Sequence, residues 1–213
     1  MPLYTTSSGG GTPLARGAAI LPGYYSPARL VQDGSFLNTT GVAIGGAVTI
    51  DCGITGGNQA RLVSLPGTLP AGVEGCFQYM QEGGGLVMVG LAYLDASDTG
   101  VAAVFYKNTE TVALTVRLAT VVSGVYTGLV AGTVRTVFGS GSAMLVSPTW
   151  LCLEKSGTTY TVKWSTDGLG WTSGFTATVA GTPTEVAAGQ VARLGGASDT
   201  TFSRLALHYL AVR

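Results

Sequence analysis

Alternating apolar and polar positions in residues 150–171 predict a β-hairpin followed by a turn and a third segment. Leu151 and Leu153 fall on one face of the first strand, because successive side chains of a strand point to opposite faces. Ser156-Gly157 supplies the hairpin turn, and Thr166-Asp167-Gly168 supplies the next one. The second strand alternates in the same way, with its apolar positions at Tyr160, Val162 and Trp164. We therefore expect these residues, and the tryptophans at 150, 164 and 171, to form part of a core.

Further strand patterns run through most of the chain. Residues 86–94 are nearly continuous in apolar side chains, which predicts a central strand buried on both faces. Residues 112–119 alternate, and residues 124–137 read as a loose pair of strands. In the last segment, 202–212, one face is predicted to carry Leu205, Leu207, Tyr209 and Ala211. Since 33 glycines and 8 prolines accompany these strands and no long window has helical periodicity, we expect an all-β protein.

The hairpin residues also carry a family resemblance. The pattern Trp150-Leu-x-Leu-Glu-Lys-x-Gly-x-x-Tyr-x-x-x-Trp-Ser-x-Asp-Gly-x-x-Trp171 resembles the concanavalin A-like (laminin-G/glucanase-type) jelly-roll sandwiches. Such sandwiches occur in lectins, in glycosidase-associated modules and in bacteriophage and other viral surface proteins. The resemblance implies an antiparallel jelly-roll β-sandwich over residues 31–213, whose last strand returns to pair near the first. It indicates fold far more than activity.

Residues 1–30 have a different composition and predict an extended N-terminal arm. Three consecutive glycines and four prolines prevent this segment from forming a compact core of its own. It nevertheless contains apolar anchors at Leu14, Ile20, Leu21, Tyr24 and Tyr25. Such groups contribute stability only when they lie against a surface, so we expect the arm to assemble on a neighbouring subunit. Contact with its own domain and disorder are the alternatives.

Charge is scarce and balanced. Eleven basic and eleven acidic residues give a formal net charge of zero and make up 10% of the chain, against about 25% in ordinary soluble domains. The evenly spread cations predict no nucleic-acid partner, because a duplex binder needs a basic stripe. So few charges predict a surface covered by other subunits, with a homotrimer favoured among oligomers. A monomer coated with Ser, Thr and Gly is the alternative.

Cofactor, metal and targeting signals are absent from the sequence. Cys52, Cys76 and Cys152 have neither an even number nor CxxC spacing, which disfavours a disulfide scaffold and a zinc site. No signal-peptide pattern and no apolar run of 18 residues is visible, so we expect no secretion and no membrane insertion. Synthesis in a host cytoplasm follows from this interpretation.

The candidates for catalysis are few, and they predict that the protein is not an enzyme. His208 is the single histidine and lies in a predicted strand, where a histidine is usually a satisfied surface residue. Sugar hydrolysis normally needs two carboxylates flanking the bond. Glucanases of the resembled family carry them as Glu-x-Asp-x-x-Glu on one strand, and no acidic residues here have that spacing.

One loop is a candidate for sugar or calcium contacts. Its oxygen-bearing side chains are Asp95, Ser97, Asp98 and Thr99. Lectins hold sugar hydroxyls with such groups, sometimes around a calcium ion, and stack sugar rings on aromatic side chains. Here the ring would come from Trp171, Tyr126 or Tyr160. Ordinary turn chemistry is the stronger explanation of the same four residues.

Two functions remain open on the sequence. The first is a non-enzymatic virion structural protein, a bacteriophage capsid decoration, tail or fibre component that assembles through its arm with copies of itself and other virion proteins. The alternative is a lectin-like module that recognises host or environmental glycans. Fold type and composition favour the first by association.

Overall fold

A computed structural model describes residues 23–25, 35–37, 42–44, 47–52, 61–64, 69–82, 87–107, 114–138, 148–192 and 203–212. These residues form fifteen β-strands and no helix. In chain order the strands are β1 (Gly23–Tyr25), β2 (Ser35–Leu37), β3 (Val42–Ile44), β4 (Ala47–Cys52), β5 (Arg61–Ser64), β6 (Gly72–Glu82), β7 (Val87–Leu94), β8 (Gly100–Lys107), β9 (Leu114–Val122), β10 (Val125–Phe138), β11 (Thr149–Ser156), β12 (Thr159–Ser165), β13 (Thr172–Thr178), β14 (Glu185–Gly189) and β15 (Ser203–Val212). The predicted all-β class is confirmed.

The strands form two antiparallel sheets, as the predicted jelly-roll β-sandwich requires. Sheet A has the order β13-β12-β11-β6-β15-β4-β3, with β1 also paired to β15. Sheet B has the order β10-β9-β8-β7-β14-β5-β2. The first strand pairs with the last through Gly23 opposite Val212 and Tyr25 opposite Leu210. This is the return of the chain end that the family resemblance implied.

The predicted hairpin is β11 and β12, paired in continuous register from Trp150 opposite Ser165 to Ser156 opposite Thr159. Leu151, Leu153, Tyr160, Val162 and Trp164 all lie in the core between the sheets. Of the three tryptophans only Trp164 joins this core, whereas Trp150 and Trp171 are half-buried. Trp150 lies on the opposite face of β11 because it is one position out of phase with Leu151.

Aromatic pairs cross from one sheet to the other within the core. Phe77 of β6 meets Phe105 of β8 edge to face, with ring centroids 6.3 Å apart. Tyr93 of β7 meets Tyr160 of β12 with centroids 6.0 Å apart, and the Tyr93 hydroxyl donates to the Pro70 carbonyl at 3.0 Å. These offset geometries are the ones that aromatic quadrupoles favour. The crossed pairs therefore fix the two sheets face to face.

Part of the outer face of sheet B is buried, in addition to its inner face. Leu94, Ala102 and Val104, which point away from sheet A, pack in a second cluster with Val191 and Ala192 after β14. This explains why residues 87–94 read as a nearly continuous apolar run: β7 is covered on both sides.

Two strands differ in detail from the sequence expectation. Residues 125–138 form the single strand β10, whose pairing with β9 contains three register shifts, rather than two strands. In β15 a register shift between Leu207 and Tyr209 interrupts the alternation. Leu207 and Leu210 therefore lie in the core, and Tyr209 lies outside it. No helix long and apolar enough to cross a membrane occurs in the described residues.

Candidate functional site

The sequence-predicted loop at Asp95 joins β7 to β8 and is held by its own hydrogen bonds. Asp95 Oδ1 accepts from the Ser97 amide at 2.8 Å, the Ser97 hydroxyl at 2.6 Å and the Thr99 amide at 3.0 Å. The hydrogen bond from the Ser97 hydroxyl lowers the pKa of Asp95 more than the bonds from the two amides do. Asp98 takes a left-handed φ of 59° at the tip of the turn. The Asp95 carboxylate thus organises the turn.

A second set of contacts ties this loop to the turn between β9 and β10. The Gly124 amide donates to the Asp98 carbonyl at 2.8 Å, and the Ser123 amide donates to Thr99 Oγ1 at 3.1 Å. The described residues contain no group of three or more His, Cys, Asp or Glu side chains arranged to hold a metal ion. A sugar or calcium role for these four residues stays a prediction.

The structure distinguishes the three rings considered as sugar platforms. Tyr160 is 1% exposed and lies in the core, so its ring faces the other sheet. Trp171 and Tyr126 are half-buried. Gly168, in the turn before Trp171, packs so closely on Trp150 that a Cβ there would lie 2.9 Å from the Trp150 ring.

The predicted assembly arm is described only at its end. Tyr24 and Tyr25 belong to β1 and pair with Ala211 and Leu210 of the same chain. Leu14, Ile20 and Leu21 lie outside the described residues. Docking of the arm on a neighbouring subunit stays a prediction.

The outer face of sheet A carries a group of polar side chains that the sequence analysis did not bring together. On β6, Glu74 is 6% exposed and accepts a hydrogen bond from the Tyr209 hydroxyl on β15. Further along the same two strands, His208 Nε2 lies 2.8 Å from Gln78 Oε1. Burial lowers the pKa of His208. Burial therefore favours the neutral form of this hydrogen-bonded histidine.

Glu154 on β11 is the second carboxylate on this face. It accepts from Lys163 Nζ of β12 at 2.9 Å, with both side chains about one third exposed (35% and 33%). The register places Glu74 opposite Cys152, which is two positions from Glu154. Glu74 and Glu154 are therefore diagonal neighbours on adjacent strands, a placement that sets two residues about 7–8 Å apart.

Two buried cysteines lie on this face. Cys76 and Cys152 are buried free thiols. Burial, followed by the charge of Glu74, raises the pKa of Cys76 to about 12. Since the thiolate is the reactive species, Cys76 is inert at neutral pH.

A pocket of about 310 Å³ opens beside Glu154, where the β11–β12 hairpin meets the start of β6. Its lining residues are Ala71, Gly72, Glu154, Lys155, Ser156, Thr159 and Thr161. Lys155 Nζ donates to the Gly157 carbonyl at 2.6 Å, and Thr161 Oγ1 lies 3.1 Å from Thr176 Oγ1. Three hydroxyls, a carboxylate and an ammonium thus surround a volume at the lower end of the range for small-molecule sites.

Sequence reasoning missed this site because its carboxylates come from different strands. The search for acidic residues spaced along one strand could not find Glu74 and Glu154, which are 80 positions apart in sequence and adjacent only through the pairing of β6 with β11. Glu154 itself stood in the hairpin pattern, beside two turn residues with polar side chains. That clustering of Glu154, Ser156 and Thr159 was the available signal.

No protein-family model matches the chain, and no curated protein matches it in sequence. Solved structures do match. The Crh5 transglycosylase in complex with NAG superposes with a TM-score of 0.58 at 13% identity, covering 93% of this chain and 86% of that one. The alginate lyase from Klebsiella pneumoniae gives 0.52 at 10% identity, covering 78% and 81%. The exoplasmic/lumenal domain of VIP36, in its Ca²⁺- and Man3GlcNAc-bound form, gives 0.50 at 13% identity, covering 86% of each chain.

The chain shares their fold. These proteins are concanavalin A-like jelly-roll sandwiches, which confirms the fold part of the resemblance inferred from the hairpin. At 10–13% identity the likeness shows the fold and leaves the activity to be argued from this chain's own residues.

The comparisons correct two expectations from the sequence. The prediction of a virion structural protein is wrong, because the similar sandwiches named above act on or bind carbohydrates and nothing connects the chain to bacteriophage proteins. The prediction that the protein is not an enzyme is wrong on the same finding, since a transglycosylase and a lyase are among the similar folds. Both expectations rested on composition and on a one-strand motif, neither of which reports which side chains meet across strands.

Proposed function

We propose that this protein binds a carbohydrate, and that the pocket beside Glu154 holds one sugar unit of it. The observation that carries the proposal is the lining of the pocket: the hydroxyls of Ser156, Thr159 and Thr161 surround the Glu154 carboxylate in a space of about 310 Å³. Sugars present hydroxyl groups in several directions, and hydroxyl and carboxylate side chains pair with them as donors and acceptors. The shared fold with carbohydrate-binding and carbohydrate-active proteins supports this choice of ligand.

The pocket is also partly ordered before any ligand binds. Lys163 holds Glu154 at 2.9 Å, and Thr176 holds Thr161 at 3.1 Å. Ordering side chains in advance lowers the entropic cost of binding. Since the β11–β12 hairpin is continuously paired, its backbone gives these side chains a rigid support.

The test is titration of the protein with a panel of neutral oligosaccharides by calorimetry, repeated with substituted proteins. Glu154→Gln and Thr161→Val should each weaken binding of the best ligand by about tenfold, because each removes a hydrogen bond to the sugar. Thr127→Val, an exposed threonine on sheet B, is the matched control and should bind like the native protein. If no oligosaccharide binds, or if all three variants bind equally well, the proposal fails.

Cleavage of the bound glycan is the second candidate function, and the diagonal pair of carboxylates favours it. An inverting glycosidase places its two carboxyl groups about 6.5–9.5 Å apart, so that one protonates the leaving oxygen while the other takes a proton from the attacking water. Glu74 and Glu154 are diagonal neighbours on β6 and β11, a placement about 7–8 Å apart from which two carboxyl groups can reach that separation. Release of reducing ends from a bound oligosaccharide, lost in both Glu74→Gln and Glu154→Gln, would support cleavage. Binding without release would limit the function to recognition.

A further inference from the structure

A second group of functional side chains lies on the opposite sheet, around Arg117. On β9 the residues Leu114, Val116 and Leu118 enter the core between the sheets. The alternation of the strand therefore places Arg117, together with Thr115, on the outer face of sheet B. This face is distant in the fold from the Glu154 pocket, which belongs to sheet A and the hairpin end.

The Arg117 guanidinium is held on three sides. Its carbon lies 3.3 Å from the centroid of the Tyr106 ring on β8, and its Nε donates to Thr115 Oγ1 at 2.9 Å. Burial raises the pKa of Tyr126 on β10. The positive charge of Arg117 and a hydrogen bond from Arg117 to Tyr126 both act in the opposite direction. Arg117 is thus fixed between two tyrosines, which themselves pack against the buried second cluster of sheet B.

This arrangement leaves the planar fork of the guanidinium available for an anion. The face of the group stacks on Tyr106, and the bonds to Thr115 and Tyr126 use two of its five N–H donors, which leaves three for a ligand. Within the part of the chain that the structure describes, no carboxylate forms an ion pair with Arg117. In a chain with only 10% charged residues, a half-buried guanidinium that no described carboxylate neutralises is suited to an anionic ligand.

We propose that Arg117, framed by Tyr106 and Tyr126, binds the carboxylate of an acidic sugar, as a second site on the outer face of sheet B. A carboxylate matches the guanidinium because two parallel N–H···O bonds join two planar groups. The hydroxyl of Tyr126 and the tyrosine rings supply contacts for the sugar that carries the carboxylate. The site rests on its own residues, so it stands or falls independently of the Glu154 pocket.

The experiment follows the Nε–H signal of Arg117 by NMR, assigned through its loss in Arg117→Lys. Glucuronate should shift this signal in a saturable way, whereas glucose should leave it unmoved. Arg117→Lys keeps the charge but loses the fork, so it should weaken glucuronate binding, measured by calorimetry, by at least about tenfold. Thr172→Val, an exposed threonine of β13 on the other sheet, is the control and should leave this binding unchanged. Thermal melts establish that Arg117→Lys is folded.

Four results would overturn the proposal. The first is an Nε–H signal that does not respond to glucuronate, and the second is an equal response to glucose. A third is binding of acetate as tight as that of glucuronate, which would remove the role of the sugar. The fourth is tighter binding of glucose 6-sulfate than of glucuronate, which would assign the site to a tetrahedral anion. The glucuronate experiment does not depend on whether neutral oligosaccharides bind the Glu154 pocket, because the two sites share no residues.

Discussion

Single side chains in this protein take their roles from which side of a strand they occupy. Trp164 and Lys163 are neighbours in sequence, yet Trp164 is 8% exposed in the core while Lys163 pairs with Glu154 on the outer face. Gly174 on β13 confirms how tightly the core side is packed, because a Cβ there would lie 2.6 Å from the Trp164 ring. Trp164 in the core and Asp95 in the β7–β8 loop are the two side chains whose substitution should test these roles.

Trp164→Ala should lower the free energy of unfolding by about 3–5 kcal/mol, because it removes a large aromatic side chain from a packed core. Trp171→Ala is the matched control, and since Trp171 is half-buried its effect should be clearly smaller. Urea unfolding followed by fluorescence or circular dichroism measures both. Equal stability of the native protein and Trp164→Ala would contradict this packing.

Asp95→Ala should destabilise the β7–β8 loop in a pH-dependent way. The hydrogen bond from Ser97, with those from the loop amides, lowers the pKa of Asp95 in the folded protein. The stabilisation is therefore complete above the unfolded value of about 3.9 and is lost as the pH falls through the lower folded value. Melting temperatures of the native protein and the variant should differ at pH 7 and converge only below about pH 4. Convergence between pH 7 and pH 5 would argue against this role for Asp95.

At the scale of strands, close approach of backbones makes particular glycines necessary. Gly90 on β7 faces β8 so closely that a Cβ would lie 2.0 Å from the Ala103 carbonyl oxygen. Neither partner can yield by rotating a side chain, because the obstacle is backbone. Position 90 therefore has room for the hydrogen of a glycine and not for a Cβ atom.

Gly90→Ala should lower the free energy of unfolding by about 1–3 kcal/mol or more, the usual cost of forcing extra volume into a packed site. Gly128→Ala on β10 is the control, since its nearest neighbour would be Thr120 Oγ1 at an ordinary 3.9 Å. Chemical denaturation of the two variants side by side gives the comparison. A Gly90→Ala protein as stable as Gly128→Ala would show that β7 and β8 are not packed as described.

The difference between what the sequence predicted and what it missed also lies at this scale. The β11–β12 hairpin was predictable because its strands are adjacent in the chain and its alternation is regular. The pairing of β6 with β11 joins distant segments, and nothing local specifies it, so the neighbourhood of Glu74 and Glu154 stayed hidden. The register shift after Leu207 was equally invisible, because the alternation of side chains continues in the sequence where the backbone departs from it.

At the scale of the whole molecule, the scarcity of charge keeps assembly as a prediction. Because β1 belongs to sheet A, a deletion that tests the arm must stop at residue 22. Removal of residues 1–22 should leave the far-UV circular dichroism unchanged and reduce an oligomer, with a trimer favoured, to smaller species. Light scattering after size exclusion measures the mass. A full-length protein that stays monomeric at high concentration would contradict assembly through the arm.

The two outer faces of the sandwich give the molecule two separate polar sites, one beside Glu154 and one around Arg117. They differ in charge, since the first contains one carboxylate and one ammonium as well as hydroxyls, whereas the second presents a guanidinium fork.

The most direct measurement is an NMR titration of the isotopically labelled protein with the neutral oligosaccharide that binds best in the calorimetric panel. Saturable shifts of backbone amides should cluster at Gly72, Ser156, Thr159 and Thr161, which line the pocket. The same titration of Glu154→Gln should require a higher ligand concentration to reach the same shifts. Shifts confined to other parts of the molecule, or no saturable shifts at all, would contradict the assignment of this pocket as a carbohydrate-binding site.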